Sequence, residues 1–156
     1  MRIMTKTSIN LGAGNDVLDT NVWINHDLKK HRPEIEVSFD LEDIPWPLDD
    51  NTFDEVRMFD VLEHLNNIVG VMDEVWRILK PDGILDCKVC GYKNENFWVD
   101  PTHKHAFAPN SMDYFDPTTS IGQIYDFYTD KKWKIVGFSE KNNNYYWRLK
   151  PIKEKK

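Results

Sequence analysis

Short hydrophobic runs, each followed by an acid or a glycine turn, divide roughly the first ninety residues of the chain. Runs of this kind, rich in β-branched and aromatic residues, predict strands. Five of them span Thr7–Leu11, Val22–Ile24, Ile35–Phe39, Glu55–Phe59 and Ile84–Val89. Between the last two, apolar residues at helical spacing predict an amphipathic helix over Ile68–Leu79. Near the end of the chain, two more β-type runs at 133–139 and 145–149 predict an antiparallel hairpin around an asparagine-rich turn.

This alternation is typical of an α/β fold, but its first connections are short. Only twelve residues separate Gly14 from Asp27, and twelve separate Asp27 from Asp40, which leaves no room for full crossover helices. We therefore expect helices to be reduced on one face of the sheet. A homodimer or an unusual packing of the tail would cover that face. No repeat or linker interrupts the chain, so we expect a single domain over residues 1–156.

Composition narrows the possible partners of the protein. The 156 residues include 20 Lys and Arg against 26 Asp and Glu, a formal charge of −6. An acidic balance argues against docking on nucleic acid or on an anionic membrane, because both need a positive surface. Two cysteines cannot build a disulfide framework, no signal-peptide pattern opens the chain, and no apolar run approaches the about 18 residues of a membrane span. We expect a cytoplasmic location.

A glycine loop follows the first predicted strand, at Leu11-Gly12-Ala13-Gly14. Without side chains, the backbone N–H groups of such a loop can approach a ligand closely. Val17 stands at the third-glycine position of the dinucleotide fingerprint, so the loop alone is a weak signal. Asp27 strengthens it, because a carboxylate at the end of the next strand can accept hydrogen bonds from both hydroxyls of a ribose. The pair predicts a nucleoside-containing cofactor.

At this point the chain resembles the class I S-adenosylmethionine-dependent methyltransferases, of the small type 11 sort. The resemblance rests on five blocks in the family's order, which together cover about half of the chain. They are Asn10-Leu11-Gly12-Ala13-Gly14, Trp23-Ile24-Asn25-His26-Asp27, residues 40–54, Asp60-Val61-Leu62-Glu63-His64-Leu65 and Arg77-Ile78-Leu79-Lys80-Pro81-Asp82-Gly83. Several blocks in order are far more specific than any one of them.

The resemblance implies a Rossmann-like, seven-stranded, mostly parallel sheet with an antiparallel C-terminal hairpin. It also implies S-adenosylmethionine as cofactor and S-adenosylhomocysteine as product. The implied cofactor-binding residues lie at the ends of the first four strands: Leu11, Gly12, Ala13, Gly14, Asp27, Leu28, Asp40, Leu41, Phe59 and Asp60.

The implied roles divide this set along the cofactor. The glycines pass beneath the methionine part, and Asp27 holds the ribose hydroxyls. Asp40 addresses the adenine together with the backbone of Leu41. Phe59 and Asp60 border the methionine end and the transferred methyl group.

Three positions depart from the family's pattern, and one of them is Asp82, which replaces a common glycine. Asn10 stands where the family usually has an acid that steadies the glycine loop, and Asn15 replaces a common third glycine. Both side chains can form hydrogen bonds that accommodate the change.

The loop after the fifth strand carries the main catalytic candidate, His103. Its sequence, Asp100-Pro101-Thr102-His103, resembles a subset of these methyltransferases from bacteria and phages, and such folds place their acceptor here. An imidazole, whose pKa is ordinarily near neutrality, could take the proton of a hydroxyl acceptor during in-line methyl transfer. The alternative is that His103 and Asp100 only cap and hydrogen-bond the loop.

His64 and Asp60 are further catalytic candidates. Glu63 and His64 are typical of acid–base chemistry, but neighbours on a helix do not share a face, so a structural role is favoured for this segment. Asp100, His103 and His105 have only a weak metal-ligand spacing. Because the sulfonium donor is already activated, we expect no metal.

We therefore expect direct methyl transfer to a small polar molecule or a sugar hydroxyl, with a small-molecule or glycan acceptor and neither nucleic acid nor membrane as partner. An alternative is a cofactor-binding but catalytically inactive subunit that supports a partner. A nicotinamide-dependent oxidoreductase ranks last, because no tyrosine–lysine pair for hydride transfer is recognisable.

Overall fold

The computed structural model describes residues 5–155, and its centre is one seven-stranded sheet. The strands are Ser8–Leu11 (β1), Trp23–Asp27 (β2), Ile35–Ser38 (β3), Phe53–Phe59 (β4), Leu79–Cys90 (β5), Lys132–Lys141 (β6) and Asn144–Ile152 (β7). Their order is β3-β2-β1-β4-β5-β7-β6, and only the pairs that involve β7 are antiparallel. This Rossmann-like sheet with its C-terminal hairpin confirms the predicted fold.

Helices are short in this fold. The longest, α1, spans Ile68–Ile78 and begins where the Asn67 side chain accepts a hydrogen bond from the N–H of Gly70, at 2.9 Å. Two five-residue helices, Glu95–Val99 (α2) and Ser120–Ile124 (α3), and three 3-10 turns at 62–64, 111–115 and 126–128 were not predicted, because one turn carries no periodic pattern. None of the helices within residues 5–155 is long and apolar enough to cross a membrane.

Strand β5 begins earlier than the sequence predicted. Phe53 already pairs with Leu79, and Glu55 pairs with Ile84, so Lys80–Gly83 form an irregularity within the strand and not a separate turn before it. Pro81, which lacks an N–H, is tolerated at such a bulge. A Cβ at Gly83 would lie 2.8 Å from Cδ2 of Leu79, so the bulge packs too closely for a larger residue.

The two faces of the sheet are covered unequally, as predicted. One face buries Ile9, Val56 and Leu85 in a core that includes Val71 and Val75 of α1. Over the opposite face lies an open cavity of about 780 Å³, whose walls come mostly from β4 to β7, with Leu18 and Trp23 beside them. The segment after the glycine loop, residues 15–22, forms turns and irregular backbone instead of the crossover helix that usually covers this side.

Candidate functional site

The glycine loop after β1 is tied to β2 by its backbone. Gly12 and Gly14 adopt positive φ angles of 66° and 55°. The N–H of Gly12 donates to Nδ1 of His26 at 3.1 Å, that of Ala13 to the His26 carbonyl at 2.8 Å, and that of Gly14 to Oδ2 of Asp27 at 3.0 Å. All three N–H groups are therefore used within the protein, which corrects the expectation that they would be directed at a ligand.

Gly12 is required for close packing as well as for its backbone angle. A Cβ at this position would lie 2.5 Å from Cγ2 of Val61, which follows β4. Gly14 has no atom within 4 Å of an added Cβ, so only its φ angle favours glycine. Glycine is therefore needed at position 12 for packing and for its backbone angle, and at position 14 for its backbone angle alone.

His26 is a component of this site that the sequence analysis missed. It is 1% exposed, and its Nε2 lies 2.9 Å from the carbonyl oxygen of Phe39, which can only accept. With Nδ1 accepting from Gly12, the ring is the neutral tautomer protonated at Nε2. Burial lowers the pKa of His26, against smaller opposing effects of Phe39 and Asp27. One neutral imidazole thereby joins the ends of β1, β2 and β3.

Asp27 is held as an ionised carboxylate at the end of β2. Its Oδ1 accepts from the N–H of Leu28 at 2.7 Å, and its Oδ2 accepts from Gly14 and lies 2.9 Å from Nε2 of His31. Burial acts to raise the pKa of Asp27, but these hydrogen bonds outweigh it and the pKa is lowered. One lone pair, on Oδ1, remains for a further donor.

A cavity of about 290 Å³, hereafter the cofactor cleft, opens at the carboxyl ends of β1 to β4. It brings together six of the residues proposed from the sequence for cofactor binding: Gly12, Asp27, Leu28, Asp40, Leu41 and Asp60. His26, Phe39, Val61, His64 and Leu65 complete its walls. Residues from four separate strand ends thus form one cleft, at the edge where open α/β sheets bind ligands.

Phe59 is not among them, and here the structure corrects the sequence analysis. Side chains alternate along β4, and that of Phe59 lies over the opposite face, where the guanidinium of Arg57 sits 3.8 Å from its ring centre. Leu11 and Ala13 are buried, at 0% and 5% exposure. Neither they nor Gly14 line the cleft, so they shape the loop from beneath.

Asn10 replaces the usual acid with an amide that steadies the loop in another way. It is 1% exposed, and its Nδ2 donates to the carbonyl of Asp16 at 2.9 Å and to Oδ1 of Asn25 at 3.0 Å. Its Oδ1 accepts from Arg57 at 3.2 Å, and Arg57 also binds the Asp16 carboxylate at 2.8 Å. This network fixes the irregular segment where a helix is missing.

Asp60 stands between the cofactor cleft and a second cavity of about 410 Å³, hereafter the acceptor cleft. Asp60 has a positive φ of 59°, which is uncommon for a residue with a side chain and marks a position held by its surroundings. Its Oδ2 accepts from Nζ of Lys88 at 3.0 Å. Like Asp60, His64 lines both cavities, so the two clefts share a wall.

Two histidines in the acceptor cleft are each held through Nδ1. Nδ1 of His103 lies 2.8 Å from the carbonyl oxygen of Phe97, and therefore donates. Nδ1 of His64 lies 2.8 Å from Oγ1 of Thr102, whose own proton goes to Oδ1 of Asp100 at 2.7 Å, so His64 also donates. Nε2 of each ring consequently carries a lone pair. Burial, and next to it the neighbouring His103, lowers the pKa of His64.

Glu63 is the buried carboxylate behind these histidines, 1% exposed. Its Oε1 accepts from the N–H of Cys90 at 3.1 Å, and its carbonyl accepts from Lys104 at 2.7 Å. Its Oε2 has no hydrogen-bond partner among the described residues. Burial raises the pKa of Glu63.

Glu63, His64 and His103 come together, contrary to the expectation that Glu63 and His64 would not work as a pair. One ligand atom from each of the three lies within 4.8 Å of the other two. They converge because residues 62–64 form a 3-10 turn and the loop that carries His103 folds back onto it through the Glu63 carbonyl. His105 is not part of this group, and its ring packs 4.8 Å from that of Phe107.

Comparison with known proteins agrees with this arrangement. The family model of the methyltransferase domain matches residues 13–87, which include every residue of the cofactor cleft except Gly12. Residues 13–87 are thereby identified as a methyltransferase domain, and the chain is similar to the class I S-adenosylmethionine-dependent methyltransferases. No curated protein matches the chain.

Solved structures resemble this methyltransferase over nearly its whole length. An S-adenosylmethionine-dependent methyltransferase from Archaeoglobus fulgidus is 14% identical, with a TM-score of 0.62 over 93% of this chain and 86% of its own. A possible histamine N-methyltransferase from Thermotoga maritima is 14% identical, with a TM-score of 0.63 over 97% and 84%. A chain from the complex between the Haloferax volcanii Trm112 methyltransferase activator and a methyltransferase is also 14% identical, with a TM-score of 0.63 over 96% and 83%. At this identity the likeness concerns the fold.

The cofactor cleft of the methyltransferase fits S-adenosylmethionine, the cofactor of its family. The ionised Asp27 offers a lone pair on Oδ1 to one ribose hydroxyl, and a second hydroxyl would take the place of His31 on Oδ2. Leu41 offers an apolar wall beside the carboxylate of Asp40. Gly12 leaves backbone without a side chain at the cleft floor, where a Cβ would collide with Val61. Each of these features was signalled in the sequence by a residue at a strand end.

Proposed function

We propose that the methyltransferase transfers a methyl group to a hydroxyl of a small polar molecule or sugar bound in the acceptor cleft, with His103 as the base. The observation that carries this proposal is the shared wall of Asp60 and His64 between the two clefts. An acceptor in one cleft would face the methyl end of a cofactor in the other.

Most of the catalysis would come from positioning. S-adenosylmethionine supplies, when bound, a methyl group already activated on a sulfonium. The protein holds the nucleoside through Asp27, Asp40 and Leu41, and Asp60 lies where the two clefts meet. Alignment of two bound reactants can supply several kcal/mol of the barrier reduction, roughly 7–11 in the best intramolecular models.

His103 is the best-placed group for taking a proton from the acceptor. Its Nε2 carries a lone pair, its ring is fixed by the Phe97 carbonyl, and its side chain is only 9% exposed. A fixed base near the acceptor can assist deprotonation as the new bond forms. His64 is the second candidate, and its lowered pKa keeps it in the unprotonated form a base needs.

The charges of the acceptor cleft favour a neutral acceptor over a phosphate. Three acids, Asp60, Glu63 and Asp100, line it against one lysine, Lys88, which is already paired with Asp60. Its volume of about 410 Å³ suits a small molecule or a single sugar. These features support a polyol or glycan hydroxyl.

The first experiment is calorimetric titration with S-adenosylmethionine and S-adenosylhomocysteine, with NAD as a control. We expect binding of the two adenosyl ligands only, and a loss of at least tenfold in affinity for Asp27→Ala. Equal affinity of Asp27→Ala and the native protein would contradict the ribose assignment, and binding of NAD would favour an oxidoreductase.

The second experiment is a screen of sugars and polyols as methyl acceptors. The reaction contains a metal chelator, and the formation of S-adenosylhomocysteine is measured. For an acceptor found in this way, His103→Asn should lower kcat at least tenfold and leave the affinity for S-adenosylhomocysteine unchanged. His105→Asn, in the same loop but outside the cleft, is the matched control. An unchanged rate in His103→Asn would return His103 to a structural role.

A catalytically inactive subunit is the alternative, and a specific comparison keeps it testable. The Haloferax volcanii neighbour comes from a complex with an activator protein. An inactive subunit would bind the cofactor but give no turnover with any acceptor until a partner is added. We also propose a homodimer over the sheet face that carries the cavity of about 780 Å³, and a cytoplasmic location. Light scattering that gives a monomeric mass would contradict the homodimer.

A further inference from the structure

We propose that Glu63, His64 and His103 form a binding site for one first-row divalent cation, such as Zn²⁺, at the junction of the two clefts. One ligand atom from each residue lies within 4.8 Å of the other two. Two imidazoles and one carboxylate form a donor set suited to Zn²⁺, Fe²⁺ or Co²⁺. The site departs from the sequence expectation that no metal is involved.

The carboxylate of Glu63 is the strongest indication of a missing ligand. The residue is 1% exposed, and its Oε2 has no hydrogen-bond partner within residues 5–155. A buried oxygen without a donor costs free energy, and a bound cation would offset that cost. Oε1 is fixed by the Cys90 N–H, which leaves Oε2 for a cation.

Both histidines are arranged as metal ligands usually are. A ligating imidazole typically donates its second N–H to a carbonyl or carboxylate, which fixes the ring and the tautomer. His103 donates from Nδ1 to the Phe97 carbonyl, and His64 donates to Thr102, which in turn donates to Asp100. Nδ1 of each ring is thus used as a donor, which leaves Nε2 for a cation; Nε2 of His103 also lies 3.7 Å from Oδ2 of Asp100.

The geometry requires only a small adjustment. Ligands around one Zn²⁺ at about 2.0–2.2 Å lie roughly 3–3.5 Å from each other, so atoms up to 4.8 Å apart would need to move by about 1 Å. The three residues line one cavity, which leaves room for water or an acceptor oxygen as a further ligand. The cation would thus lie on the acceptor side of Asp60.

The cation and the proposed base would use the same nitrogen of His103. The two roles therefore exclude each other at any one moment, which is why the kinetic test of His103 is made in chelator. The inference rests on the cluster and not on the identity of the acceptor. The protein could therefore prove unable to bind a cation and still transfer methyl groups, or bind a cation and prove unable to transfer methyl groups.

The test is calorimetric titration of chelator-treated, full-length protein with ZnCl₂, followed by Co²⁺ absorption spectroscopy of the same samples. We expect one cation per chain, with Co²⁺ bands of a low-coordinate nitrogen and oxygen site. Glu63→Gln and His64→Asn should each weaken Zn²⁺ binding at least tenfold. His105→Asn, which removes a histidine of the same loop outside the cluster, should leave it unchanged.

Affinity for S-adenosylhomocysteine, measured in the same variants without metal, shows whether the fold and the cofactor cleft are intact. Absence of Zn²⁺ binding by the native protein would overturn the proposal. Equal Zn²⁺ affinity in native protein and Glu63→Gln would overturn it too, as would a loss of binding in His105→Asn.

Discussion

The cofactor cleft and the acceptor cleft lie on either side of Asp60 and differ in how their polar groups are satisfied. In the cofactor cleft, both ring nitrogens of His26 and both carboxylate oxygens of Asp27 have hydrogen-bond partners within the protein. In the acceptor cleft, Oε2 of Glu63 and Nε2 of His64 have none among the described residues, and Nε2 of His103 only faces Oδ2 of Asp100 at 3.7 Å.

This difference indicates that the cofactor cleft is preorganised to bind a ligand, whereas the acceptor cleft has groups that can react with one. A site whose polar groups already bind each other is preorganised, and a ligand adds contacts without rearranging it. A site whose lone pairs have no hydrogen-bond donor can take up a proton or a cation. Four predictions test the distinction.

The largest effect is expected for Gly12→Ala in the cofactor cleft. The new Cβ would lie 2.5 Å from Val61 at a φ of +66°, so overpacking and backbone strain add. We expect a loss of about 3 kcal/mol in the free energy of unfolding, measured with urea, and no detectable binding of S-adenosylhomocysteine. Gly14→Ala, with a similar φ but open space, should lose only about 1 kcal/mol. Equal losses would show that packing against Val61 does not matter.

Acid should weaken the cofactor cleft through His26. Burial lowers its pKa from 6.5, so its stabilising effect is fully present above pH 6.5 and is lost as the pH falls through the lowered value. Protonation would also take the Nδ1 acceptor from Gly12. We expect His26→Asn to lose about 2 kcal/mol of stability at pH 7 and to flatten this part of the pH profile. An unchanged profile would assign the acid sensitivity to another group.

Removing the charge of Asp27 should lower the free energy of unfolding by less than the loss of His26. Asp27→Asn weakens hydrogen bonds from Gly14, Leu28 and His31, and we expect a loss of about 1–2 kcal/mol in unfolding free energy at pH 7. Since the pKa of Asp27 is lowered from 3.8, its contribution is present above pH 3.8 and is lost as the pH falls through the lowered value. Unfolding with urea along an acid series checks both, and identical acid profiles for variant and native protein would contradict this account.

The smallest effect is expected for Glu63→Gln, which should raise the free energy of unfolding instead of lowering it. In chelator-treated protein, Glu63→Gln removes a poorly solvated charge from the acceptor cleft while it keeps an oxygen for the Cys90 N–H. We expect a gain of at most about 1 kcal/mol in unfolding free energy at pH 7. A clear loss of stability would mean that the carboxylate is needed by the fold itself, and the contrast between the clefts would then be invalid.

The sequence by itself determined the sheet and most of the cofactor cleft. Hydrophobic runs located the strands, and residues at strand ends, such as Asp27, Asp40 and Asp60, necessarily meet at one edge of a parallel sheet. The short connections likewise predicted the missing helices. These features are readable because a local pattern sets a strand, and parallel pairing then sets where its end lies.

Only the tertiary structure decided the acceptor cleft. Glu63 and His103 are forty residues apart in the sequence and meet because a loop returns to the Glu63 carbonyl. The role of His26 was not predicted, since it depends on partners from other strands. The sheet face on which the Phe59 side chain lies was not predicted either. A loop without periodicity takes its path from long-range packing and hydrogen bonds, so the groups it brings together cannot be found from their spacing along the chain.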